Sequence, residues 1–489
     1  MKAREDFPSL STHSPAPIAM KHGTLLAEPN PSPTFREVLE NSMVRQRIIE
    51  YLGGNHLKNA TCLFLGRLDP SNPCKVDRQP AAHLHSILNE SCELARSLED
   101  RVSMLIHLDI EYVNFDDPAA AFVDPQRTFL LQEPLVRVIE SRLLAFGIHY
   151  LHVVTGQGHH FVWKIRRFSP IAEAIARLGI CTTPELESPP DPLFPHVALL
   201  MEFLAHLLKR EAGAVCEIPV EITAQHVGHG RSGAREMLSI DISEYGDPLP
   251  SRMIRIPYTV YRKPWISGLI ERLGISDQVP GFFTLPLHEM NILQLIEQRQ
   301  NPATIIDLAH RAGAGIPQAA KGTRRLLDAY RNSELMDFHR KFYSRGHGFP
   351  SRRKTDSDAA AIDTLPPCAK HVLANPNDLL LKPSGIQLIT RCLLAGGWHP
   401  RHIAALVAAK FQDPAHHWGA QWDDYDPVQR AEFYVRLFAG QIDQGVDTGV
   451  DFNCVSQQEK QFCWNPCDCS LAPIYGKIYL PKKNHPRPL

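Results

Sequence analysis

Two acids two residues apart offer the first chemistry in this chain. Asp109 and Glu111 close an apolar run, Met104 to Ile110, within MLIHLDIEYVNFDD. Such a run predicts a strand, and alternation then sets both carboxylates on one face. Paired carboxylates repel and lose hydration, so they persist together mainly where a cation neutralises them. A second run, Tyr150 to Val154, enters the turn Thr155-Gly156-Gln157-Gly158, and a third follows from His160 to Ile165. Glycines there let backbone N–H groups approach an anion, and His160 leaves the turn facing whatever the turn holds. A later strand candidate, Met237 to Ile242, carries Asp241. Each feature alone has an ordinary counterpart: solvated acids at a strand end, a hairpin turn, one more edge carboxylate. An acid pair inside an apolar strand is costly, because burying unpaired charge is strongly unfavourable. Together the three predict a site for a metal-bound polyphosphate.

The elements that must position these residues follow from periodicity. FREVLENSMVRQRIIEYL, Thr34 to Leu52, has helical spacing and ends at Gly53-Gly54; Cys62 to Leu65 reads as a short strand and His83 to Leu98 as a helix. Leu131 to Ala145 predicts a helix between the first two strands of the site, and Pro195 to Arg210 another after the third. A strand is expected at Glu217 to Ile222, an extended basic segment from Asp247 to Trp265, and a helix at Asn291 to Gln300. His339 to Lys354 reads as a linker.

The 489 residues suffice for two or three domains. The division expected is a disordered tail over 1–34, a catalytic domain over 35–285, a helical segment and basic linker over 286–362, a helical domain over 363–480, and a tail over 481–489. Lys and Arg total 52 against 53 Asp and Glu, a net charge of −1, so nucleic-acid contact has to come from local patches. No run approaches the roughly 18 apolar residues of a membrane span, and a soluble cytoplasmic protein without membrane association is expected. Eleven cysteines, sparse until a late cluster, favour free thiols and a metal or cluster site over disulfides in that compartment.

The order Leu108-Asp109-Ile110-Glu111, then Thr155-Gly156-Gln157-Gly158-His159-His160, then Ile240-Asp241 resembles the three motifs of the archaeo-eukaryotic primase superfamily. Arg252-Met253-Ile254-Arg255-Ile256-Pro257-Tyr258-Thr259 is similar to that family's R-x-x-R-x-P-x-S stretch, and Lys263 follows. The chain departs with Thr155 and Thr259 where Ser is usual and Glu111 where Asp is commoner; the family's histidine after the Ser is missing, so Val260 and Tyr261 inherit no role. The resemblance implies an α+β fold: an RRM-like catalytic core, not a doubly wound sheet, with a flanking N-terminal α/β module. It implies template-directed nucleotidyl transfer, with Asp109, Glu111 and Asp241 as catalytic acids holding two Mg²⁺ or Mn²⁺ ions about 3.5–4 Å apart. Thr155, Gly156, Gly158, His160, Arg255 and Lys263 would bind the incoming nucleoside triphosphate. His159 is the adjacent alternative to His160, since neighbours on a strand face opposite ways.

A second resemblance lies in the helical C-terminal region. Leu365-Pro366-Pro367-Cys368 opens it, and Asp451-Phe452-Asn453-Cys454 with Phe462-Cys463 and Cys469 close it, which looks like the iron–sulfur domain of the primase large subunit. That implies a [4Fe–4S] cluster held by Cys368, Cys454, Cys463 and Cys469, with Cys467 the rival for the last place. Zn²⁺ is the alternative occupant of four thiolates. Cys392, within an apolar helix, reads as core packing, and Cys62, Cys74 and Cys92 have no regular spacing.

Single-stranded DNA contact is expected at Lys164-Ile165-Arg166-Arg167, at Arg252, Arg255, Arg262 and Lys263, and at Arg340-Lys341-Phe342-Tyr343-Ser344-Arg345 with Arg352-Arg353-Lys354, where cations mix with aromatics; a solvated linker is the alternative for the last. The expected protein is a DNA primase–polymerase, with a helicase or other replication protein as a possible partner. The other readings are a replication initiator that nicks DNA on an RRM-like sheet, and a non-catalytic DNA-binding replication protein.

Overall fold

The computed structural model describes residues 33–69, 72–90, 93–181, 191–223, 225, 227–275, 279–344, 362–380, 382–416, 425–463, 467 and 469–480. The tails expected over 1–34 and 481–489, apart from Pro33 and Thr34, lie outside these residues, as does the basic run from Arg345 to Lys354. The fold is mixed α+β. Among the described residues no helix is long and apolar enough to cross a membrane.

Its organising element is β4 (Ser103–Asn114), twelve residues long. Met104, Ile106, Leu108, Ile110 and Tyr112 enter one apolar cluster while Leu105 enters another, so this strand is covered on both faces. Beside it run β5 (Leu151–Val154), β6 (Gly158–Arg166), β7 (Val220–Ile222), β8 (Glu236–Asp241), β10 (Thr259–Tyr261) and β11 (Phe282–Pro286). The seven strands stand in the order β10-β11-β5-β6-β4-β8-β7. Only β7 and β8 pair in parallel. A smaller antiparallel sheet, β2-β1-β3-β9, is made by β1 (Phe64–Asp69), β2 (Asn72–Pro80), β3 (Ala95–Ser97) and β9 (Met253–Arg255).

Between β4 and β5 runs the helix Pro125–Phe146. Its start is set by Asp124, whose carboxylate accepts the Arg127 N–H at 3.1 Å, and by Pro125 in the first turn; it ends at Gly147, in the left-handed region at φ 66°. A second long helix, Leu193–Ala212, lies between β6 and β7. From β4 onward the order is therefore β-α-β-β-α-β, with the short β7 added before the last strand.

Several local expectations are corrected. Thr34 to Leu52 is two helices, Pro33–Glu40 and Ser42–Tyr51, because Asn41 turns out of the first and caps the second by accepting the Met43 N–H at 2.9 Å. The helix expected over His83 to Leu98 covers only Leu84–Glu90; beyond the two undescribed residues 91 and 92, Ala95–Ser97 are claimed as strand by β1 and β9. His339 to Phe342, expected in a linker, belong to the helix Glu334–Phe342, and Phe342 and Tyr343 are buried. Burial removes both rings from base stacking.

The helical C-terminal region shares the larger apolar cluster with the sheet: Leu204 and Phe338 belong to the same cluster as Leu393 and Phe438. At the junction the buried Glu202 accepts from Arg436 Nε at 2.9 Å and lies 3.1 Å from His339 Nε2, while Arg436 Nη1 donates to Tyr343 Oη at 2.7 Å. Burial alone would push the Glu202 carboxyl up, but Arg436 and His339 outweigh it and hold it at about 2. The folded value is depressed, so this contribution is present above the unfolded value near 4.5 and is lost as pH falls toward 2. Glu202→Gln leaves Arg436 without its counter-charge and is expected to lower unfolding stability by about 3–5 kcal/mol at pH 7, read by urea denaturation. A loss below roughly 1 kcal/mol would show that the junction does not depend on this pair.

Candidate functional site

Register brings the acids together. In the antiparallel ladders Asp109 stands opposite His160 on β6 and opposite Asp241 on β8, while Glu111 stands opposite Gly158 and Ser239. Directly opposed residues share a face. Three strands thus place Asp109, Glu111, Asp241 and His160 on one face, with His160 Nε2 3.5 Å from Asp109 Oδ1. His159, one residue earlier, faces away: its Nδ1 lies 2.9 Å from His152 Nε2, and its ring meets Phe129 edge-on. The alternation that separates the two histidines selects His160.

The glycines act by letting backbones approach. A Cβ on Gly158 would lie 1.7 Å from the Ile110 carbonyl oxygen, and one on Gly156 would lie 2.3 Å from the Tyr261 ring. The turn is closed by the Thr155 hydroxyl, which donates to the Gly158 carbonyl at 3.2 Å, and by Arg299 Nη1, which donates to the Thr155 carbonyl at 3.1 Å. Thr155 therefore shapes the turn with its hydroxyl.

The electrostatics are those of crowded like charge. Burial, then Glu111, Asp241 and Glu244, push the Asp109 carboxyl well above its ordinary value. Burial, then Glu244 and Glu111, push Asp241 up to about 6. His160 is held well below its ordinary value by burial, His107 and Arg255, so its imidazole is neutral at pH 7. Burial works against Arg255 keeping its charge, but Tyr261, Glu93, Glu111 and Asp109 raise its pKa; Nε donates to Glu93 Oε1 at 2.9 Å and the guanidinium lies over Tyr261. Lys263, exposed at the start of the short helix Lys263–Ile266, is raised chiefly by Glu111. It lines a cavity of about 220 Å³ with Tyr112, Asn114, Phe122 and Gln157.

A fourth acid escaped the reading of the sequence. Glu244 lies in the 3₁₀ turn Ser243–Gly246 just after Asp241, buried, with Oε1 3.0 Å from His107 Nδ1. His107 in turn meets the His160 ring edge-on at 4.5 Å. The sequence signal was present but faint: His107 is two residues before Asp109, on the same face of the strand.

The donor set suits a divalent cation. Asp109 Oδ1 is buried with no hydrogen-bond donor among the described residues, and three further carboxylates raise its pKa. Yet among the described residues no three His, Cys, Asp or Glu side chains are grouped as a metal site as they stand. Because Asp241 is raised on folding, protonation favours the folded state, and that stabilisation, full below 3.8, is lost as pH rises through about 6. In EDTA, Asp241→Asn is expected to be more stable than the parent at pH 8 by on the order of 2 kcal/mol, with the gain gone by pH 4. Thermal melts at the two pH values check this; equal melting at pH 8 would mean that the acids do not repel.

The second set of residues also converges. Cys463 Sγ lies 3.7 Å from Cys467 Sγ, which lies 2.7 Å from Cys469 Sγ, and Cys454 Sγ is 4.0 Å from the Cys469 carbonyl oxygen. Burial, with lesser contributions from Cys463 and Cys454, pushes the Cys368 thiol up to about 12; burial, Cys467, Cys368 and Cys454 do the same at Cys469. Cys368, Cys454, Cys467 and Cys469 form no disulfide. Cys467 sits between Cys463 and Cys469, and Cys392 is buried beside Cys368.

Comparison with protein-family models, with curated proteins and with solved structures finds no match to this chain.

Proposed function

We propose that the protein is a primase–polymerase that joins nucleotides on a single-stranded DNA template. The observation that carries this reading is the cross-strand set Asp109–His160–Asp241 with Glu111 on the same face. The strand order β5-β6-β4-β8 with its β-α-β-β-α-β connection supports an RRM-like core.

In this reading Asp109, Glu111 and Asp241 hold Mg²⁺ or Mn²⁺, which when bound supplies charge neutralisation at the attacking hydroxyl and the departing pyrophosphate. Without it the carboxylates would repel the triphosphate they must receive. Lys263 and Arg255 offset that repulsion and hold the phosphates. His160, neutral at pH 7, donates a hydrogen bond to a phosphate oxygen without repelling the cations beside it. Gly158 keeps a side chain out of the space between the turn and β4, and Gly156 lets the turn lie against the Tyr261 ring. Cys368, Cys454 and Cys463, with Cys467 or Cys469, would hold a [4Fe–4S] cluster, with Zn²⁺ as the alternative. The C-terminal region would then help hold the template and the initiating nucleotide.

A nicking initiator is favoured by two observations: His107 and His160 are neighbouring imidazoles on the acidic face, and the buried Tyr261 hydroxyl has no hydrogen-bond partner among the described residues. One assay separates the readings. The full chain is given single-stranded DNA, labelled nucleoside triphosphates and Mg²⁺ or Mn²⁺. Templated dinucleotides and longer products are expected. Strand cleavage with a covalent protein–DNA adduct would replace the polymerase by the initiator, and binding without either product would leave a DNA-binding replication protein.

A further inference from the structure

At the far end of β6 from the acids, the protein carries a cationic surface that the proposed chemistry does not use. The segments 164–181 and 317–331 hold eight Lys and Arg, of which Arg167 pairs with Asp191, Arg177 with Glu173 and Arg331 with Asp328, leaving five without an ion pair among the described residues on a chain whose net charge is −1. The fold joins them into one surface. Lys164 bridges to Gln318, Arg324 Nη2 donates to the Pro170 carbonyl at 3.0 Å, and Arg331 Nη2 donates to the Ala174 carbonyl at 3.2 Å. The helix Ala320–Arg331 buries Leu326, Leu327 and Tyr330 and leaves Lys321, Arg325 and Arg331 outward, while Arg166 and Arg177 are exposed beside it. Amid these cations stands Phe168, 93% exposed.

We infer that this surface binds single-stranded DNA, with the cations along the phosphates and Phe168 stacked on an unpaired base. A ring so exposed contributes nothing to the core, and a lone aromatic among cations suits a strand whose bases are free to stack better than a duplex. Six residues along β6 separate Arg166 from His160, roughly 20 Å. A strand held here is thus template away from the reacting nucleotide. The inference rests on the proposed function only for that role; its test reads binding alone.

Fluorescence anisotropy of a labelled oligo(dT) with the full chain, at about 50 and 200 mM salt, is the measurement. The triple variant Arg166→Glu, Lys321→Glu, Arg325→Glu is expected to bind at least ~10-fold more weakly, with the salt slope reduced by about 2. Phe168→Ala is expected to lose about 5-fold or more with the slope unchanged. Arg137→Glu, an exposed charge on another helix, is expected to bind as the parent does, and Asp109→Ala to bind normally even where synthesis is lost. Unchanged affinity and slope in the triple variant would overturn the inference. So would an equal loss in Arg137→Glu, or variants that dissociate an oligomer while DNA binding persists.

Discussion

Asp109→Ala is expected to reduce templated dinucleotide formation by on the order of 10³-fold or more, with oligonucleotide binding retained. Asp109 stands between two other residues of the site, His160 on one side and Asp241 on the other, whereas Glu111 stands between Gly158 and Ser239. Its removal takes away the carboxylate common to the whole set and leaves His160 facing a cavity. Asp109→Asn is the sharper variant, since it keeps the shape and removes the charge. The same result is expected, and the parent's Mn²⁺-dependent rise in melting temperature should disappear with it. A variant that keeps a tenth of the parent's synthesis would remove the acidic face from the chemistry, whatever the rest of the fold resembles. Loss of activity with the Mn²⁺-dependent melting shift intact would show that Asp109 acts on something other than the cation.

On the proposed function, in which the C-terminal thiols hold a cluster or zinc, Cys463→Ser is expected to remove that metal and to lower the melting temperature of the whole chain. Thiolate–metal bonds are folding energy: a structural site contributes on the order of 10 kcal/mol that a serine cannot replace. The loss would not stay local, because the C-terminal helix Pro427–Asp443 supports the turn that follows Asp241. Arg430 Nη1 donates to Asp247 at 2.9 Å, Gln429 donates to the Asp247 carbonyl at 2.7 Å, and a Cβ on Gly246 would lie 2.6 Å from the Phe433 ring. Synthesis should therefore fall together with metal content. Anaerobically purified protein with a broad band at roughly 400 nm would identify a cluster; colourless protein with one equivalent of zinc would identify the alternative. Cys467→Ser and Cys469→Ser, compared singly, assign the last ligand, since the metal departs with one and not the other. A Cys463→Ser protein with neither metal loss nor altered melting would make the five thiols ordinary neighbours.

Much of the acidic site was legible in the chain itself. Asp109 and Glu111 share a face because a strand repeats every two residues, and His160 parts from His159 for the same reason. The turn at Gly156 and Gly158 could be read from residue type. Less visible were β2, β3 and β11. The stretch Asn72–Pro80 is polar and carries two prolines, Ala95–Ser97 is too short for a pattern, and both become strands only because neighbours supply their hydrogen bonds.

Sequence alone determined which side chains face together along one strand, since that depends on a local period. Tertiary structure alone decided which strands lie side by side, and so that Asp241 meets Asp109, that Glu244 reaches His107, and that Glu93 claims Arg255 across 162 residues. It also decided that Phe342 and Tyr343 enter the core while Phe168 stays in water. The physical reason is range: a backbone period is written in adjacent residues, whereas register and shared burial are set by the packing of segments far apart in the chain.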